Sequence, residues 1–303
     1  MARPPAAGAR TLLDPAVLAR LGALELKARV VVEGYLLGLH RSPFRGLSVD
    51  FAEYRPYLPG DDPRTVDWKL YGRSDRTYVK RFEQETNLPC HLLLDVSASM
   101  DYGSGGITKL HYATCLCAAL AWLLHAQRDA VGLMAFDADV VEHVSPSARP
   151  GHLRTLFGAL ERVRPGRQSA LRAPLDRLAA GLSRRGLVVV ASDLLDEPAR
   201  VVEGLRHLRF RGMEVVVFHV MDPAERSFPF ERPARFRDPE TGAEVLTSPR
   251  AVRESYVRQF EAARATYEAS LRPHGIDYCP IETSTPLEFA LAAYFAARRR
   301  VMV

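Results

Sequence analysis

The sequence predicts an α/β fold: a doubly wound, mostly parallel, Rossmann-like sheet, preceded by an N-terminal helix and a small β-rich segment. Three observations predict it. After residue 87, short continuous apolar runs such as "LVVVA" (187–191) recur, as in strands buried on both faces. Longer stretches of helical periodicity separate those runs, and strands alternating with helices imply a parallel sheet with helices on both sides. Two strand-like runs meet across "DAD" (137–139), a hairpin that adds one antiparallel edge strand.

The elements follow in order. Residues 1–10 are Ala, Pro, Gly and Arg around a single Met and read as a disordered N-terminus. Asp14-Pro15 reads as an N-cap with proline at the first helical position, and Val17, Leu18, Leu21, Leu24, Ala28, Val31, Val32, Tyr35 and Leu39 continue a helical stripe. "LSVDFAEYRPY" and "RTYVKRFE" alternate like half-buried strands around the turn-rich "LPGDDPRTVDW". Trp68 reads there as an anchor to the main domain. The expected organisation is thus a disordered 1–10, a helix plus β-rich segment over 11–87, and an α/β domain over 88–303. Within that domain strands are expected at 91–95, 130–136, 140–144, 187–191, 214–220 and 276–281. Helices are expected at 109–127, 151–163, 171–183, 198–210, 252–272 and 286–299. The helix at 109–127 is apolar nearly all round and therefore buried. A Pro-rich excursion near 222–249 carries D-P-E-T-G between two extended pieces, a hairpin insertion.

Composition narrows the function. The formal charge is +5, but bases and acids interleave almost one for one, and the longest basic run is Arg298–Arg300. No clustered stripe suits a nucleic-acid groove. The four cysteines, Cys90, Cys115, Cys117 and Cys279, show no CxxC or zinc spacing, and Cys115 and Cys117, in a helical pattern, read as buried thiols of a reducing compartment. No signal-peptide pattern and no membrane-spanning apolar run are visible, so the cytoplasm is the expected location.

The chemistry concentrates in "HLLLDVSASM". A buried strand ends at Asp95, and Ser97 and Ser99 follow at alternate positions. The "LVVVA" strand ends at Ser192-Asp193, and "RPGRQSAL" places Ser169 before a helix. In a doubly wound sheet, ligands sit beyond the carboxyl ends of strands where strand order reverses. If the two strands are neighbours there, Asp95 and Asp193 face one crevice. Carboxylates and hydroxyls are hard donors suited to Mg²⁺ or Mn²⁺. The plainer reading is a polar strand-to-helix turn, since Asp and Ser also cap helices. Asp101 and Asp137 read as solvent-facing or capping. Asp222, Thr283 and Thr285 border the same rim.

"DVSAS" after an apolar strand resembles the D-x-S-x-S of von Willebrand factor A domains, whose metal-ion-dependent adhesion site uses these residues. "YRPYLPGDDPRTVDWKLYGRSDRTYVKRFEQE" (54–85), followed by this strand, resembles the DUF58 family. The resemblance implies a metal set of Asp95, Ser97, Ser99, Ser169 and Asp193, with serine at 169 where related domains usually carry threonine. It also implies a non-catalytic, metal-dependent protein-binding module. That module would be an adaptor working with a MoxR-type AAA+ ATPase or its client, in protein complex assembly or maturation. The partner would offer an acidic side chain.

The rival is a Mg-dependent phosphotransferase or hydrolase with Asp95 as nucleophile. Ser97 stands where a dehalogenase-type site needs a second aspartate. No general base, HExxH, G-x-S-x-G elbow or P-loop lysine is visible, the last despite "GSGG" at 103–106.

Overall fold

The structure, a computed structural model, describes Pro15 and residues 23–41, 54–56, 78–80, 88–166, 168–182 and 184–299. The expectations for residues 1–10, the Asp14 cap, the strand over 47–51 and Trp68 lie outside the described residues. Helix α1 spans Leu24–Arg41. Strands β1 (Tyr54–Pro56) and β2 (Tyr78–Lys80) pair antiparallel, so each alternating segment does contribute a strand.

The main domain then runs β3 (Pro89–Asp95), α2 (Lys109–Ala126), β4 (Ala130–Phe136), β5 (Val140–Ser147) and α3 (His152–Arg162). It continues with α4 (Arg172–Gly181), β6 (Gly186–Ser192), α5 (Pro198–Phe210), β7 (Met213–Met221) and the single-turn α6 (Pro223–Ser227). The hairpin strands β8 (Ala234–Arg237) and β9 (Glu244–Thr247), α7 (Pro249–Leu271), β10 (Asp277–Glu282) and α8 (Leu287–Arg299) complete it.

Six strands form one sheet in the order β10-β7-β6-β3-β4-β5. Every neighbouring pair is parallel except β4–β5, the expected antiparallel edge. The chain lays β4 and β5 on one side of β3, then crosses to lay β6 on the other. The switch point therefore falls between β3 and β6, which pair directly.

Alternation along each strand splits the core in two. Leu92 and Leu94 of β3 join the face covered by α1, α2, α3 and α8, and Leu93 joins the face covered by α4, α5 and α7. Full burial of such a side chain is worth about 1.5–3 kcal/mol. Helix α2 lacks a polar face because it is sandwiched. The sheet lies below it, and Ala28, Val31, Val32 and Tyr35 of α1 belong to the same core. Tyr35 stacks on Phe295 of α8 at 5.3 Å between ring centroids and 6° between planes.

Two element ends differ from the sequence reading for identifiable reasons. Strand β5 continues past Val144 to Ser147 although Pro146 lacks an N–H, because an edge strand tolerates a missing donor. Helix α7 begins at Pro249 rather than Val252, since proline is pre-organised for the first helical position after Ser248.

Candidate metal centre

Asp95 is the last residue of β3 and is fully buried. Its two oxygens are held from different elements. Oδ1 accepts the Ser97 backbone N–H at 2.9 Å, which turns the chain sharply after the strand. Oδ2 accepts the Ser192 hydroxyl at 2.6 Å and the Ser169 hydroxyl at 3.4 Å. Ser97 precedes a 3₁₀ turn over Ala98–Asp101, and the Ser97 and Ser99 hydroxyls lie 3.1 Å apart, both buried. The loop carrying Ser169 is drawn over this point by the Gly166 N–H, which donates to the Val96 carbonyl at 2.6 Å.

Asp193 follows β6 directly and is also buried. All five expected residues thus meet at the carboxyl edge of β3 and β6. Asp101 is exposed, and Asp137 accepts from the Asp139 N–H at 3.0 Å.

Residues that the sequence reading did not single out complete the surroundings. Ser192 ties Asp95 to β6, and its hydroxyl also accepts the Leu194 N–H at 2.9 Å. Lys109, at the start of α2, is wholly buried and donates to Asp193 Oδ2 at 2.8 Å and to Glu225 Oε1 at 2.5 Å. A cation is disfavoured at the positive end of a helix dipole. A lysine opening an otherwise apolar helix was therefore the available signal. Its loop is held by the Lys109 N–H, which donates to the Tyr102 carbonyl at 2.9 Å. Gly103 is required there, since a Cβ on it would lie 2.0 Å from the Ile107 carbonyl oxygen.

Asp222, expected only at the rim, is fully buried. It accepts the Ser104 N–H at 2.9 Å and the Ala224 N–H at 2.8 Å, and forms a capping box with Glu225 on α6. Thr283 donates to Asp222 at 3.4 Å. Thr285 instead serves the core, its carbonyl accepting the Tyr112 hydroxyl at 2.8 Å.

The electrostatics follow from burial. Desolvation, and then the Asp193 charge, push the Asp95 carboxyl up to about 7, against the hydroxyl and N–H donors that favour its ionised form. Burial works against the Lys109 charge, but Asp193 and Glu225 outweigh it and raise its pKa.

The donors at the centre are all oxygens, and the negative charges outnumber the single ammonium. Such a set fits a hard divalent cation and is poor for a soft one. Among the described residues, no three His, Cys, Asp or Glu side chains form a metal-holding group. A cation here would therefore rest on hydroxyls as much as on carboxylates.

Comparison with known proteins gives the family. The family model "Protein of unknown function DUF58" matches residues 53–266. The chain belongs to the DUF58 family. A DUF58 relative in sequence is the uncharacterized protein Rv1480 of Mycobacterium tuberculosis strain H37Rv. It is 27% identical over 292 residues, spanning 95% of this chain and 91% of that one. The same figures hold for the uncharacterized protein Mb1516 of Mycobacterium bovis. Among solved structures, BatB from Bacteroides thetaiotaomicron matches 70% of this chain and 99% of its own, with a TM-score of 0.49 and 17% identity. The VWA domain of SpRpn10 matches 67% and 93%, with a TM-score of 0.41 and 12% identity. Among the described residues of this DUF58 chain, no helix is long and apolar enough to cross a membrane.

Proposed function

We propose that the chain is a non-catalytic, cation-dependent protein-docking module. In this reading Mg²⁺ or Mn²⁺ is held by Asp95, Ser97 and Ser99, with Ser169 and Asp193 closing the shell. The cation supplies a positive centre that a partner's carboxylate completes, so cation and partner bind cooperatively. The chain's own part is to present converging oxygens at a rigid sheet edge, with Ser192 and the Ser97 N–H orienting Asp95. The partner proposed is a MoxR-type AAA+ ATPase or its client, in complex assembly or maturation, and the proposed location is the cytoplasm.

The observation that carries the reading is the convergence of two buried carboxylates and three buried hydroxyls from three separate chain segments at the switch point. Burying two carboxylates close together is costly beyond what hydrogen bonds return, and a bound cation would offset that cost. Among the described residues, the Lys109 ion pairs are with Asp193 and Glu225.

The test is capture of a MoxR-type AAA+ ATPase from the same organism by this chain, with Mg²⁺ or with EDTA, and with Asp95→Ala. Capture lost under both treatments, with the circular dichroism unchanged, is expected. Capture that survives both overturns the reading.

A second reading, a Mg-dependent phosphotransferase or hydrolase, draws on Lys109, because a buried lysine paired with an aspartate near a second aspartate also suits phosphoryl transfer. Against it, Ser97 stands two residues after Asp95, where a dehalogenase-type site needs a second aspartate as general acid. Turnover of a phosphate ester with Mg²⁺, lost in Asp95→Asn, would reverse the order of the two.

A further inference from the structure

The hairpin insertion reaches the centre. Its strands β8 and β9 pair antiparallel, and the connecting turn Asp238-Pro239-Glu240-Thr241-Gly242 is tightly built. The Asp238 carboxylate accepts the Glu240 N–H at 2.9 Å and the Thr241 hydroxyl at 2.5 Å, and the Asp238 carbonyl accepts the Gly242 N–H at 2.9 Å. Gly242 takes a φ of 73°, where a side chain would be strained. The base of the arm is fixed as well. Phe236 of β8 stacks on Phe228 at 5.3 Å, and Phe228 meets Tyr256 of α7 at 4.4 Å. Arg253 of α7 donates to the Phe228 carbonyl at 3.0 Å and the Phe230 carbonyl at 2.7 Å. A hairpin otherwise open to solvent is therefore clamped at its root and rigid at its tip.

That tip delivers the Glu240 carboxylate to the Ser169 backbone N–H and the Ser99 hydroxyl, within electrostatic reach of Asp193. Glu240 Oε1 is buried there with no hydrogen-bond partner among the described residues. A buried carboxylate oxygen without a donor, beside another carboxylate, is a costly arrangement in the absence of a positive charge. Its neighbours Ser99 and Ser169 belong to the proposed metal set. As the side chains stand, Asp95, Asp193 and Glu240 do not close into one carboxylate cluster.

We infer that Glu240 is an internal ligand: a carboxylate of the chain itself that takes the cation's open position, so that an external acidic partner must displace the β8–β9 arm to dock. The inference rests on the cation-site reading above. It gives the hairpin insertion a role, that of a tethered competitor whose local concentration depends on how the arm is held.

The experiment is titration of the full chain with Mn²⁺, following affinity by calorimetry and the number of metal-bound waters by water-proton relaxation. Wild type, Glu240→Gln, Glu240→Asp and Asp95→Ala are compared. Wild type is expected to carry one fewer metal-bound water than Glu240→Gln. The Gln variant should bind Mn²⁺ about tenfold more weakly, with Glu240→Asp between. Asp95→Ala should bind none. If Glu240→Gln matches wild type in affinity and in water count while Asp95→Ala loses the metal, the internal-ligand idea is wrong and the cation site stands. If wild type binds no Mn²⁺, the site reading fails and the inference with it.

Discussion

The Lys109 ammonium, with no exposed surface, lies 2.8 Å from the Asp193 carboxylate and bridges it to Glu225 on another element. This pair joins the start of α2 to the end of β6 and to the helical turn after β7. It keeps Asp193 in place at the centre while removing part of its charge. Replacing only the lysine strands two carboxylates. Lys109→Met is therefore expected to destabilise the fold by about 3–5 kcal/mol, the usual result of removing one partner of a buried pair. Urea unfolding checks it. The double variant Lys109→Met/Asp193→Asn should recover part of the loss, and strict additivity of the two single changes would show that they do not interact.

Asp95 makes stability depend on pH in a stated direction. Its carboxyl titrates at about 7 when folded and near 3.9 in an unfolded chain. Below about pH 4 both states hold the proton and the group contributes nothing. Between about pH 4 and 7 only the folded chain keeps it, so stability falls as pH rises, by up to ~1.4 kcal/mol per unit. Above the folded value the full cost is present. With EDTA, the melting temperature should drop from pH 5 to pH 8, and Asp95→Asn should flatten that drop. Equal slopes in wild type and variant would remove Asp95 as the cause. Mg²⁺, if held by the ionised carboxyl, should raise the melting temperature more at pH 8 than at pH 5.

Much of this could be read from residue order. The apolar runs located the four inner strands because strands buried on both faces read as continuous apolar stretches. Asp95 and Asp193 could be joined because a doubly wound sheet brings its switch-point strand ends together. Lys109, Glu225 and Glu240 could not be joined to them by spacing. Lys109 meets Asp193 across 84 residues of chain and Glu225 across 116. Glu240 arrives on a hairpin whose direction is set by aromatic packing on α7, which leaves no periodic trace. The burial of α2 was evident from its composition. That α1 covers it was not, because an amphipathic stripe does not name its partner.

Ser169 tests the departure from threonine. Its hydroxyl reaches Asp95 at 3.4 Å, the longest of the three hydrogen bonds that Asp95 accepts. A serine hydroxyl rotates more freely than a threonine one, because the β-branch restricts χ1. Ser169→Thr is expected to tighten Mn²⁺ binding a few-fold with little change in stability, and Ser169→Ala to weaken it. Calorimetric titration decides. Equal affinity in all three forms would show that the residue at 169 is not a ligand.

The N-terminal helix makes the last prediction. Tyr35 stacks almost parallel on Phe295, and Ala28, Val31 and Val32 are buried in the core that also holds α2. Without α1, the outer side of α2 would be an apolar surface open to water. Tyr35→Ala should cost about 3–5 kcal/mol, as deletion of a large buried ring does. It should also lower Mn²⁺ affinity little, because the ring packs between α1 and α8, away from the Asp95 hydrogen bonds. Removing residues 1–41 altogether should go further and leave α2 exposed, giving a chain that aggregates or binds a hydrophobic dye such as ANS. A truncated chain that stays monomeric, melts cooperatively and binds no dye would mean that α1 is an accessory to the sheet domain rather than its missing outer layer.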